Sequence, residues 1–179
     1  MSKKNASILA LFALLMVSIT QFSGVLAPPL HAAQPTKQTT GASGLALPRW
    51  VALHSGKVHM RTGPGTHYPI DWVYRRQSMP MEVLDEHGPW RKVRDFEGTT
   101  GWIHRQLLIG PRYAMVRGKT RILFAEKDMA SARLVIAEAG VTGRLLACED
   151  IWCQLIIQDR KGWIERRHLW GVYKNEAFD

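Results

Sequence analysis

Two ten-residue segments in this chain carry the same frame. They are Gly101-Trp102-Ile103-His104-Arg105-Gln106-Leu107-Leu108-Ile109-Gly110 and Gly162-Trp163-Ile164-Glu165-Arg166-Arg167-His168-Leu169-Trp170-Gly171. Gly, Trp, Ile, Arg, Leu and Gly recur at the same offsets, with a period of 61 residues from Trp102 to Trp163. Each frame has a further tryptophan upstream, Trp90 or Trp152, followed by a short β-type run, Arg91 to Arg94 or Cys153 to Ile157. Chance readily supplies a Gly-Trp-Ile triplet, but not the whole frame with its upstream Trp. Two copies make a tandem pair, not a solenoid.

Each copy reads as β structure. Val58 and Met60 alternate with Lys57, His59 and Arg61, as in a half-buried strand. Ile70, Trp72 and Tyr74 alternate with Asp71, Val73 and Arg75, and Met81 and Val83 with Glu82 and Leu84. Gly63-Pro64-Gly65, His87-Gly88-Pro89 and Glu97-Gly98 supply the turns between them. With the last strand at Gly101–His104, the pattern predicts about five short strands per repeat, the content of a small barrel. Ala130 to Ala139 is the nearest approach to a helical period and suggests no more than a turn or two. In each barrel Ile103 and Ile164 are expected inside, which turns Trp102 and Trp163 outward.

The chain ahead of the repeats has a different character. Lys3 and Lys4 precede an apolar run from Ile8 through Leu26, and small residues follow at Ala27, Ala32 and Ala33. This is the pattern of a Sec-type signal peptide. Pro28 hinders cleavage after Ala27, so a cut after Ala32 or Ala33 is preferred. The alternative is an uncleaved anchor, since Ile8 to Ala27 is about long enough to span a bilayer. Ser18, Thr20, Gln21 and Ser23 dilute the run and favour cleavage. Residues 33–47 are rich in Thr, Gln, Gly, Ala and Ser and read as a flexible linker. The expected organisation is a signal helix at 1–32, a disordered linker at 33–47, and barrels at 48–110 and 111–179. The fold class is all-β, and the location periplasmic or secreted.

A family resemblance rests on these residues. Val58-His59-Met60-Arg61-Thr62-Gly63-Pro64-Gly65-Thr66-His67-Tyr68-Pro69 resembles the opening motif of bacterial SH3-like (SH3b) domains, with His59 where Asn is usual. Trp90-x-x-Val93 and Gly101-Trp102-Ile103 are similar to the family's later strands. The resemblance covers Trp50 to Leu108 well, and Ala114 to Leu169 only through the later strands. In the second copy Arg121 stands for the motif arginine, and Ile122-Leu123-Phe124 falls where the Gly-Pro turn belongs. The resemblance implies two tandem SH3-like barrels and attachment to cell-wall material, often beside a hydrolase domain. No hydrolase domain accompanies them in this sequence.

Cys148 and Cys153 are the two cysteines. Four residues separate them between β-type runs, so in a hairpin they face each other across the strands. An exported chain lets the disulfide form, and it adds roughly 2 kcal/mol for so short a loop. A redox-active pair has two intervening residues and a helix to lower a thiol pKa, which this spacing lacks.

Arg61, Arg75, Arg76 and Arg91 lie among aromatic residues, a mixture that suits carboxylates, phosphates or sugar faces. The candidate ligand residues are Arg61, Tyr68, Trp72, Tyr74, Arg91 and Trp102. Packing and binding remain open for Tyr68, Trp72 and Tyr74, whereas Trp163 and Trp170 are expected to pack the repeats together. No His/Cys/Asp cluster has zinc spacing, no Gly-rich loop carries a phosphate-cradle lysine, and no nucleophile elbow is present. Neither a cofactor, a metal nor a catalytic residue is therefore expected. The net charge of +9 falls to about +7 once Lys3 and Lys4 leave with the signal. Outside the inner membrane such a charge favours anionic envelope polymers, not nucleic acid. The leading expectation is a non-catalytic module for peptidoglycan or another envelope component. The runner-up is a protein-interaction module docking a periplasmic partner such as a cell-wall hydrolase. Membrane contact is expected only if the N-terminal segment stays uncleaved.

Overall fold

A computed structural model describes residues 39–178. The expected signal segment, its anchor alternative and the first part of the linker lie outside the described residues. A two-stranded ribbon comes first, β1 (Thr39–Thr40) with β2 (Ala46–Leu47). The first large sheet follows: β3 (Arg49–Leu53), β4 (Val58–Arg61), β5 (Ile70–Tyr74), β6 (Pro80–His87), β7 (Trp90–Arg94), β8 (Thr100–His104) and β9 (Leu108–Ile109). The second contains β10 (Tyr113–Val116), β11 (Arg121–Phe124), β12 (Arg133–Ala137), β13 (Thr142–Glu149), β14 (Trp152–Ile157), β15 (Arg160–Glu165) and β16 (Leu169–Trp170). One turn of 3₁₀ helix precedes the last strand of each, Arg105–Leu107 and Arg166–His168.

The two sheets repeat one another strand for strand. Their orders are β5-β4-β8-β7-β6-β3-β9 and β12-β11-β15-β14-β13-β10-β16. The chain is thus two tandem barrels of the same topology, and each sheet has seven strands, not five. The two added strands, β3 and β9, pair with each other, Ala52 opposite Ile109 and Leu53 opposite Leu108. That pairing brings the end of each repeat back to its start.

Alternation fills each interior. Leu53, Val58, Met60, Met81, Val83, Val93 and Ile103 are completely buried in the first barrel. Leu123, Leu145, Cys148, Cys153, Leu155 and Ile164 fill the second, and the two cores form separate clusters. Ile103 and Ile164 point inward, and Trp102 and Trp163 are half-buried on the outer face, as the sequence predicts. The Gly of the Gly-Trp-Ile frame is explained by the same packing. A Cβ on Gly101 would lie 2.5 Å from the Met60 Cγ, and one on Gly162 would lie 2.6 Å from the Leu123 Cβ. Only glycine lets β8 and β15 cross this closely over a core side chain.

Three expectations need correction. First, residues 39–47 are ordered by what they meet: Leu47 is buried in the first core, and the Ser43 N–H and Oγ donate to Glu86 at 2.6 and 2.7 Å. These contacts offset the ordering entropy that a Ser/Gly/Ala-rich stretch otherwise leaves unmatched. Second, Arg133–Ala137 is a strand, not a helical turn, because its β-branched Val135 and Ile136 favour extended backbone and pair with Leu123 and Ile122 of β11. Third, the second copy aligns differently from the motif reading. Arg61 pairs with Trp102, and the residue that pairs with Trp163 is Phe124. Ile122-Leu123-Phe124 is therefore strand, with Leu123 in the core place of Met60. Glu126-Lys127-Asp128 stands where Gly63-Pro64-Gly65 does.

The barrels touch through aromatic residues. The Trp50 and Trp170 rings meet edge to face at 4.7 Å, and Tyr173 lies 5.2 Å from Trp50. Trp170 Nε1 donates to the Pro80 carbonyl at 3.0 Å, and Arg76 donates to the Gly140 carbonyl at 2.5 Å. Trp170 thus packs the repeats together as expected. Trp163 does not: it lies under the Lys127 ammonium, 5.3 Å from its ring.

Candidate functional site

Cross-strand register assembles one row on the outside of the first barrel. Asp85 on β6 pairs with Lys92 on β7, Lys92 with Trp102 on β8, Trp102 with Arg61 on β4, and Arg61 with Ile70 on β5. Paired residues of antiparallel strands project from the same face. Their neighbours Val93, Ile103 and Met60 are in the core, which fixes the row as outward-facing. Trp102 therefore stands between two cations. Among the described residues neither Arg61 nor Lys92 forms an ion pair.

The loop after β4 extends the row. Arg61 Nη1 donates to the Tyr68 carbonyl at 2.6 Å, and Thr62 N–H to the Pro69 carbonyl at 3.1 Å. Tyr68 lies over Gly63, where a Cβ would come within 2.4 Å of its ring. His67 stacks beside it at 4.2 Å. Gly63 is thus what lets the exposed Tyr68 ring lie over the turn while its carbonyl holds Arg61.

Of the six candidates from the sequence, the structure brings Arg61, Tyr68 and Trp102 together. Trp72 is half exposed on the edge strand β5, but its partner is Met60, so it lies off the row. Tyr74 is buried, and its hydroxyl donates to Asp95 Oδ2 at 2.8 Å. Burial, then the Asp95 carboxylate, push its phenol far above the usual range. Asp95 also accepts from the Glu97 and Thr99 N–H groups, so the Tyr74–Asp95 pair organises the β7–β8 turn. Arg91 is buried too. It bonds the Gly88 and Trp90 carbonyls, and its Nε lies 3.2 Å from Glu86. Tyr74 and Arg91 are structural because each shares the inward parity of a core residue, Val58 and Val93 respectively. Lys92 joins the row as a residue that type alone does not single out, although alternation from Val93 points it outward.

Glu86 is the electrostatic anchor of this barrel. Its side chain is 1 % exposed and takes Arg49 at 2.6 Å as well as Arg91 and Ser43. Burial alone would raise its pKa. The Ser43 hydrogen bonds and the Arg49 guanidinium overcome this and hold it at about 2.

The second barrel does not reproduce the row. Gln154, Trp163 and Phe124 occupy the places of Lys92, Trp102 and Arg61. Lys127 covers Trp163 and is paired with Glu149 at 2.5 Å. No group of His, Cys, Asp and Glu among the described residues is arranged to hold a metal ion.

Comparison with known proteins decides the family. The model of the bacterial SH3 domain matches residues 54–110 and again residues 119–171, together more than half of the chain. The chain belongs to the bacterial SH3 domain family. No curated protein matches it. Among solved structures it is similar to NlpC1 from Trichomonas vaginalis, at 13 % identity and a TM-score of 0.35, over 77 % of this chain and 48 % of that one. NlpC2 from the same organism matches at 13 % identity and 0.32, over 69 % and 48 %. An NlpC/P60 family protein from Bacillus cereus ATCC 10987 matches at 13 % and 0.31, over 68 % and 55 %. This SH3 pair spans about half the length of those structures.

Proposed function

We propose that this tandem SH3 protein is an exported, non-catalytic module that binds peptidoglycan or another anionic envelope polymer through the outer face of its first barrel. One observation carries the reading: Trp102 is paired across the strands with Arg61 on one side and Lys92 on the other, two cations with no carboxylate partner among the described residues. An aromatic surface supports a sugar ring or a peptide, and the cations on either side take its carboxylates. The signal-like N-terminus and the basic balance support an envelope location. The test is sedimentation of the exported chain with purified sacculi. Wild type is expected in the pellet, and the Arg61→Ala/Lys92→Ala double variant in the supernatant. Equal pelleting of the two discards the outer-face site.

A second reading has its own observation. Leu134 and Ile136 project from the edge strand β12 with 40 % and 74 % of their surface exposed. The outer edge of such an apolar edge strand, paired only on its β11 side, is suited to strand addition by a partner protein. Cross-linking through Ile136→Cys in periplasm separates this docking reading from polymer binding.

A further inference from the structure

The 3₁₀ turn of each repeat begins with an arginine of the shared frame, Arg105 and Arg166. Both turns are placed alike: Arg105 N–H donates to the Pro89 carbonyl and Arg166 N–H to the Ile151 carbonyl. The side chains differ sharply. Arg105 is exposed, whereas Arg166 is only 7 % exposed. The segment after β16 causes this, because it returns across the second barrel. Phe178 pairs with Cys148 through both backbone bonds, and Arg112 ties Glu176 at 2.6 Å.

Between that segment and the disulfide hairpin lies a groove of about 1030 Å³. Arg166 lines it, with Arg117, Lys174, Asp150, Ile151 and Val172. Arg166 Nη1 is spent on the Tyr173 and Lys174 carbonyls, at 3.1 and 2.9 Å. Its Nε is buried and has no partner, and among the described residues no carboxylate pairs with its guanidinium. A buried charge without a counter-ion is costly, and a guanidinium that lines a groove is suited to a carboxylate entering it. The acids of the groove walls do not fill this role. Glu149 pairs with Lys127, Glu165 with Arg167 and His168, and Glu176 with Arg112. Asp150 alone is uncommitted among them, on the exposed hairpin tip.

We infer that this groove binds a short peptide by its free carboxylate, held by Arg166 with Arg117 and Lys174 on the rim, while Asp150 receives a ligand ammonium group. The groove has the volume of a site for several residues, far more than a lone inorganic anion needs. Ile151 and Val172 supply the apolar contacts a peptide side chain would use. The site is separate from the outer face of the first barrel, and either can fail without the other.

The experiment is an NMR titration of the exported chain, following the Arg166 side-chain Nε–H signal. The probes are tri-alanine, its C-terminal amide and inorganic phosphate. Tri-alanine is expected to shift the signal saturably, and the amide to bind at least about tenfold more weakly. Asp150→Asn and Lys174→Ala, both at exposed positions, are each expected to weaken tri-alanine severalfold. Arg166→Lys keeps the charge but loses the fork, and is expected to weaken it about tenfold with the Cys148 and Phe178 amide signals in place. Equal binding of peptide and amide overturns the inference. So does a signal unmoved at about 10 mM peptide, a concentration well above a weak millimolar Kd. Phosphate binding as tightly as tri-alanine, or wild-type affinity in both rim variants, overturns it as well.

Discussion

Glu86 and Arg91 face each other across the β6–β7 hairpin at the register that Cys148 and Cys153 occupy across β13–β14. The first barrel closes its hairpin tip with a buried ion pair, Nε to Oε1 at 3.2 Å, and the second with a disulfide. The turns agree as well: Gly88 and Asp150 hold the same place, both with positive φ. One fold position is thus fixed by charge in one copy and by a covalent bond in the other, and the two barrels should respond to different insults.

Acid should loosen the first barrel. Glu86 titrates at about 2 in the fold against an ordinary 4.5, so its ionised form is favoured by folding. That contribution is complete above about pH 4.5 and is lost as pH falls toward 2. Hydrogen exchange followed at decreasing pH is expected to show β6–β7 amides losing protection before those of β13–β14. In Glu86→Gln the difference should vanish. Simultaneous loss in both hairpins would show that Glu86 is not the group responsible.

Reduction should loosen the second barrel alone. The cysteines are buried in its core and also anchor Phe178 by backbone pairing. Cys148→Ala/Cys153→Ala is expected to cost roughly 2 kcal/mol, the value for a short loop. Urea unfolding should read this as a lower midpoint, and amide protection should drop in β13, β14 and the 176–178 segment. Protection in β6–β7 should not change.

Tyr74→Phe tests the reassignment of a proposed ligand residue to the core. The variant removes one buried donor to Asp95 and little volume, for a cost of about 1–2 kcal/mol. Polymer binding should persist in the folded fraction. A variant of full stability with lost binding would return Tyr74 to the site.

Much of this arrangement can be read from the sequence, and the remainder has a common cause. The frame from Gly101 and Gly162, the inward isoleucines and the Cys148–Cys153 bond all follow from strand alternation and a hairpin spacing, which are local. Residue type does not separate Arg91 from Lys92; parity with Val93 does, turning Arg91 inward and Lys92 outward. Arg121 looked like the counterpart of Arg61, yet the partner of Trp163 on the neighbouring strand is Phe124, a non-local fact. The Trp50–Trp170 contact and the pairing of β3 with β9 are equally non-local. Such pairs depend on where distant strands come to lie, and no single segment records them.

Trp170→Ala should uncouple the barrels. The indole packs edge-on to Trp50 and bonds the Pro80 carbonyl, so its loss removes an aromatic contact and a hydrogen bond from one junction. The expected cost is about 2 kcal/mol. NMR relaxation should give a single tumbling time for both barrels in the wild type, and shorter, unequal times in the variant. The contacts left in the variant are the tilted Tyr173–Trp50 pair and the exposed Arg76 to Gly140 bond, a smaller junction than the wild type holds. One shared tumbling time in the variant would place the coupling elsewhere.

Gly63→Ala should weaken polymer binding without touching a cation. The added Cβ would clash with the Tyr68 ring, so the ring must leave its place over Gly63, and the Tyr68 carbonyl that Arg61 bonds is disturbed with it. Gly63 is covered by the exposed Tyr68 ring and lies outside the core cluster, so the thermal midpoint should fall by only a few degrees. Sacculus sedimentation is expected to drop severalfold, and Tyr68→Ala should drop it similarly. Combining the two should add little, because both remove the same aromatic surface. Additive losses would mean that Tyr68 and the Gly63 turn contribute separately. Unchanged sedimentation in both would remove the Tyr68 loop from the site and leave Trp102 with its flanking cations.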